Sequence, residues 1–298
     1  MSDQVRAVEA PKPKPPKAPD IGLGYGSLIC NMSTEKRLAF IAEGVPLIHA
    51  SARSLMEATN TLKEYPREAE ILEGQAIEEC AKILILVDII RCPAKVVSSR
   101  VGTMIRWFYD HLARRIYAKA QTWKPTSLAE LQEYIDYDRR SHFVDGDYFE
   151  HIMPNSELFW REAALYADVV SNGEGEPQWH TPLRGMGRIG SWDPPVFSLV
   201  NSLAAAGAFS PKGLAILRDT WGSIEFKGDV SWDAVKEPCE AMLKALFDAG
   251  LVSESITKGD VSLIRGNWQM PMYHLDFAKV AIPLEDLKRE QEARQPRE

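Results

Sequence analysis

The sequence predicts a mainly α-helical protein, an antiparallel bundle with an additional mostly helical C-terminal region. Three observations carry that prediction. Apolar residues recur at helical spacing in Leu72, Ala76, Ile83, Val87 and Ile90, with no proline between Pro66 and Pro93. A second apolar stripe runs through Met104, Phe108, Leu112, Ile116 and Tyr117. Beyond residue 195, "VFSLVNSLAAAGAF", "SPKGLAILRDTWGSI" and "SWDAVKEPCEAMLKALFDAGL" give three further helical patterns. Four regions follow: a Pro/Lys-rich disordered tail over 1–21, a helical domain over 22–192, a helical extension over 193–285 and a charged flexible tail over 286–298.

Five prolines between Pro11 and Pro19, interleaved with lysines, cannot hold a helix and have little to bury. Ordered structure starts near Thr34, a suitable N-cap, and a first long helix carries a break or kink at Gly44 and Pro46. The second helix covers "EYPREAEILEGQAIEECAKILILVDIIR" and stops at Pro93. One continuous third helix is expected from Val96 to Gln121. Ser127, with Glu130 three residues on, has the capping-box pattern of a fourth. "SELFWREAALYADVV" begins helical and turns strand-like, and a Gly/Pro/Trp-rich linker follows to Pro195. Near the end, "VSLIRGN" and "MPMYHLDF" read as a pair of strands, and the charged terminus is expected to fray.

At 298 residues, with 45% hydrophobic and 26% charged residues, the composition suits a globular core. No apolar run approaches the roughly 20 residues that span a bilayer, and the first twenty residues lack an apolar signal region. A cytoplasmic location without membrane attachment is therefore expected. Cys30, Cys80, Cys92 and Cys239 form no CxxC pair, so no zinc knuckle or redox motif is indicated. The net charge of −7 argues against a surface coated for nucleic acid, but its distribution is uneven. Between Arg91 and Lys124 stand eight bases (Arg91, Lys95, Arg100, Arg106, Arg114, Arg115, Lys119, Lys124) and one acid, Asp110. Acidic stretches flank this island on both sides. It can hold phosphate, or it can pair with the acidic helices beside it.

Within the island, Arg106 stands five positions before His111. Metal-free RNA cleavage needs a group near neutral pKa to move protons and a cation for the crowded phosphorane; histidine and arginine supply these. On one continuous helix, five residues at about 100° each put the two side chains roughly 140° apart. The arginine must then curl around, or two copies of the helix must meet across a two-fold axis, which predicts a homodimer with a shared cleft. Glu78, Glu79 and Lys82 interrupt an apolar helix, with Glu78 and Lys82 in the favourable i,i+4 order. They are expected to face a cleft and orient Arg106 or His111.

These segments resemble the abortive-infection V group of the HEPN superfamily of helical bundles. "AIEECAKILILVD" is similar to its acidic helix, "FYDHLARR" to its basic helix with a central histidine, and "REAALYADVVSNGEGEPQWHTP" to its third segment. The likeness spans about 42–182. It implies a HEPN-like antiparallel bundle over 22–192 and an antiphage, metal-independent endoribonuclease working as a homodimer through Arg106 and His111. Glu78, Glu79, Lys82 and Asp110 would orient the site. Arg100, Arg114, Arg115 and Lys119 would bind RNA, and Trp107 would stack on a base. Trp107 departs from the family pattern, which places a polar residue after the arginine. No metal or cofactor is expected, and a phage-encoded protein is a candidate activator. The alternative is a HEPN-fold module without catalysis that recognises a phage protein, a nucleotide or a partner subunit.

Two other motifs lose to plainer explanations. "GMGRIG" at 185–190 fits G-x-G-x-x-G, but "SWDPP" after it leaves no helix to receive a pyrophosphate. His142 and His151 lie near Asp145, Asp147 and Glu150 at spacings that fit no metal rule, so an acidic loop is the better reading.

Overall fold

The computed structural model describes residues 24–144, 152–153, 155–171, 176–182 and 193–294. It is mainly helical. α1 (Thr34–Thr61) and α2 (Pro66–Arg91) form a long hairpin, followed by α3 (Ala94–Tyr109), α4 (His111–Ala120) and α5 (Leu128–Arg140). A two-stranded antiparallel ladder, β1 (Phe143–Val144) with β2 (Ile152–Met153), precedes α6 (Ser156–Leu165). A second antiparallel pair, β3 (Asp168–Ser171) with β4 (Pro177–His180), follows it. The chain then forms α7 (Pro195–Ala205), α8 (Pro211–Trp221), α9 (Lys236–Asp248), α10 (Lys258–Asn267) and α11 (Leu284–Arg294). The expected tail over 1–21 and the "GMGRIG" stretch fall outside the described residues.

α2 is the axis of the molecule. α1, α3, α4 and α6 pack on it, and so do α7 and α8. Every residue from Ile83 to Arg91 is buried, which accounts for the run "ILILV": a helix covered all round has no polar face to show. One continuous core joins residues of the first helices to Leu203, Leu214, Trp221, Met242 and Phe277. The C-terminal region therefore shares its interior with the bundle.

Two charges lie within that interior. Asp88 and Arg91 are bonded to each other, and Asp88 also accepts from the Tyr117 hydroxyl and from the Met272 N–H at 2.9 Å. Arg91 donates to the Gln269 carbonyl at 3.2 Å, and its guanidinium lies 4.6 Å from the Trp221 ring centre and 4.0 Å from that of Trp268. Burial, and then the Asp88 charge, push the Tyr117 phenol well above its ordinary range.

Several expectations change. Ser33, not Thr34, caps α1, accepting from the Lys36 N–H at 3.4 Å. The helix passes through Gly44 and Pro46 without ending. An interior proline costs about 3 kcal/mol. Burial of Leu38, Ile41, Val45 and Met56 along the same helix offsets that at about 1.5–3 kcal/mol each. "VSLIRGN" is not a strand but α10, because Thr257 and Asp260 close a reciprocal capping box and Ile264 is fully buried. "MPMYHLDF" pairs with no strand; Met270, Met272, Tyr273 and Phe277 instead thread the core. The charged terminus is helical from Leu284 to Arg294, anchored by buried Leu287 and by Glu290, which lies 2.7 Å from His142 Nε2. At Gly207 (φ +79°) a Cβ would lie 2.3 Å from the Leu251 carbonyl oxygen, so the turn that ends α7 admits glycine alone.

The expected third helix is two helices. Asp110 is extended (φ −85°, ψ 122°), and its side chain accepts from the Ala113 N–H at 2.8 Å, capping α4. An aspartate at this position is worth more as a cap than as an interior helical residue. Asp110→Ala is expected to cost about 1 kcal/mol, read as a lower urea midpoint with unchanged slope.

Candidate functional site

The break at Asp110 sets the geometry of the Arg106–His111 pair. Arg106 is exposed on the last turn of α3, where it donates to Thr103 Oγ1 at 2.8 Å. His111 opens α4 and turns toward α2. The 140° offset expected of one straight helix does not apply, and Arg106 is not among the groups around His111.

The centre of the site is Glu78. It lies on the face of α2 that meets α4 and α6, and only 1% of its side chain is exposed. Oε1 accepts from Arg161 Nε of α6 at 2.9 Å. Oε2 lies 2.8 Å from His111 Nδ1 and 3.1 Å from Arg114 Nη2. Arg114 Nη2 is also 2.7 Å from Nδ1, and Arg161 Nη2 is 3.4 Å from Nε2. An arginine can only donate and an ionised carboxylate can only accept. Nδ1 cannot both donate to Glu78 and accept from Arg114. When it carries the proton and donates to Glu78, the Arg114 N–H turns to the same carboxylate and Nε2 is left as the acceptor, facing Arg161 Nη2. The imidazole is 45% exposed, and Nε2 has Arg161 Nη2 as its neighbour.

Burial opposes ionisation of Glu78. The nearby Arg114 charge and hydrogen bonds from His111 and Arg161 outweigh it and hold the carboxyl below its usual range. Burial likewise lowers Arg114, against the pull of Glu78 and Glu79. One carboxylate between two guanidiniums leaves the cluster cationic with a neutral imidazole. A carboxyl depressed by folding stabilises the protein fully above its unfolded value of about 4.3, and that stabilisation is lost as pH falls through the lower folded value. Wild type should therefore melt above Glu78→Gln at pH 7, with the difference shrinking below about pH 4, as thermal scans across pH will show.

The other predicted residues are distributed as follows. Glu79 pairs with Lys82 at 2.5 Å, and Lys82 also stands 5.5 Å from the Phe108 ring; the expected Glu78–Lys82 pair gives way because Glu78 faces α4 and α6. Asp110 acts as a helix cap. Trp107 is 4% exposed and packs 4.9 Å from Phe277, so it offers no surface to a base. Arg114 is 8% exposed and turned to Glu78, not to solvent. Arg115 and Lys119 reach Glu157 of α6 at 3.3 and 3.0 Å, and Lys119 reaches Asp138 at 2.8 Å. The basic island is thus partly neutralised by its acidic neighbours. Arg100 lies elsewhere, where its charge acts on Cys92 and His274.

Arg161 is the residue that sequence reasoning missed. It lies in "FWREAAL", inside the segment that carried the family resemblance, but its partner Glu78 is 83 residues away and no spacing announces it. Of the possible metal cluster, His142 pairs with Glu290, while His151, Asp145, Asp147 and Glu150 fall outside the described residues. Among the described residues, no group of three or more His, Cys, Asp and Glu side chains is placed to hold a metal ion, and no helix is long and apolar enough to cross a membrane. Comparison of the chain with family models, curated proteins and solved structures gives no match.

Proposed function

We propose that the protein is an antiphage, metal-independent endoribonuclease of the HEPN type with His111 as its proton carrier. The observation that carries this reading is the half-exposed imidazole, oriented by a buried carboxylate and bordered by guanidinium. Its Nε2 takes the proton of a ribose 2′-hydroxyl as that oxygen attacks the adjacent phosphorus. The bond from phosphorus to the 5′-oxygen breaks, and water protonates the leaving oxygen. The products are a 2′,3′-cyclic phosphate and a 5′-hydroxyl. Neighbouring guanidinium stabilises the charge that gathers on the phosphorane.

Purified protein should cleave RNA in EDTA and leave cyclic phosphate ends; intact RNA would end the proposal. A homodimer that brings Arg106 from a second copy makes a separate prediction. Mixing His111→Ala with Arg106→Ala protein should then restore activity, whereas a site complete in one chain needs no Arg106. The second reading is a binding module without catalysis, favoured by the absence of Arg106 from the His111 cluster. Equal toxicity of wild type and His111→Ala in cells would support it.

A further inference from the structure

We propose that α6 carries a single-strand subsite beside His111, in which Arg161 seats the scissile phosphate and Trp160 stacks the adjoining unpaired base. The inference deepens the RNA-cleaving reading of His111 and rests on it for its catalytic consequence. Arg114, Arg115 and Lys119 are each paired with a carboxylate. Arg114 is closed off, with Nη2 on Glu78 and Nε on the Asp110 carbonyl at 3.3 Å. Arg115 and Lys119 are held by Glu157, and exposed Arg106, on the last turn of α3, is not among the groups around His111. Arg161 is the guanidinium that meets Nε2: its Nε is committed to Glu78, its Nη2 lies 3.4 Å from His111 Nε2, and its side chain is 13% exposed. A phosphate on that edge brings the neighbouring 2′-hydroxyl to Nε2, the arrangement the cyclising step requires. A planar fork suits a phosphate whose negative charge grows in the transition state.

Trp160 follows from the same helix. It is 55% exposed, a large apolar side chain that the core does not use. Its ring meets Phe159 edge-on, with centres 5.5 Å apart and planes at 80°. It lines the small depression of about 60 Å³ that also holds Glu78, Arg115 and Arg161, and it borders the larger hollow of about 830 Å³ along α5, where Tyr137 and Arg140 stand. A strand with its phosphate on Arg161 thus passes an aromatic surface within one residue. Bases in a duplex are already stacked on each other, so a Trp160 platform selects single strands.

The test uses the full chain and a fluorescent single-stranded oligodeoxynucleotide, which lacks the 2′-hydroxyl and cannot be cut by the proposed reaction, with its duplex as comparison. Wild type should bind the single strand more tightly. Trp160→Ala should lose about tenfold of that affinity and Trp160→Phe little. Arg161→Gln should lower the slope of log affinity against log salt by about 0.7, the share of one phosphate contact on a single strand, while Arg161→Lys should keep it. An arginine that only braces Glu78 would lower the melting temperature and leave the salt slope unchanged. Equal binding of duplex and single strand, or an unchanged slope in Arg161→Gln, overturns the subsite. If binding behaves as expected and RNA stays uncut, the subsite stands and the nuclease reading fails. If RNA is cut and Arg161→Gln cuts it as well as wild type, the nuclease reading stands and the subsite fails.

Discussion

His111→Ala is expected to reduce RNA cleavage by at least about a hundredfold, the lower end of what a positioned proton carrier contributes. The size of the effect follows from the absence of a second imidazole around Glu78 among the described residues. The substitution should leave the fold intact, because His111 is half exposed and Glu78 keeps two guanidinium partners, Arg114 and Arg161. Equal melting temperatures with lost cyclic phosphate product would therefore locate the chemistry at this side chain. Glu78→Gln should act in the same direction by a different route. A neutral amide can donate where the carboxylate only accepts, so the imidazole loses what fixes its proton on Nδ1. Activity that survives His111→Ala would remove this site from consideration.

Asp88→Ala is expected to be the most destabilising single change in the interior, at about 3–5 kcal/mol. Arg91 would keep its charge between two indole rings with its carboxylate gone, while the Tyr117 hydroxyl and the Met272 N–H lose their acceptor. Breaking a buried pair costs much more than never having had one. Replacing both partners together, as Asp88→Leu with Arg91→Met, should recover most of the loss. Urea unfolding of the two single variants and the double variant gives the coupling directly. Additive effects would show that the pair is not a unit.

How far the sequence could be read depended on the range of the interaction. α2 was legible because its apolar spacing and its bounding prolines, Pro66 and Pro93, are local features. Ser127 was legible as a cap for the same reason, although Glu130 binds Thr126 and not the cap residue. The break at Asp110 left a local trace, a short acid that prefers caps to helix interiors, but the apolar stripe on either side ran through it. His111 was found from its chemistry and Glu78 from its odd position in an apolar run. Arg161 was invisible, since only packing of α6 on α2 brings it to Glu78. Trp107 was misread because an aromatic beside a basic residue suits a base or a core equally well, and here Phe277, 170 positions later, claims it.

The hub at Asp88 has a practical consequence for anyone dividing this polypeptide. Its acceptors are satisfied from both ends of the chain: Tyr117 on one side, Met272 on the other. An excised fragment stopping near residue 192 would strip α7 and α8 from the axial helix and strand an ionic pair in an uncapped hydrocarbon trough. Such a half-protein should be recovered in inclusion bodies.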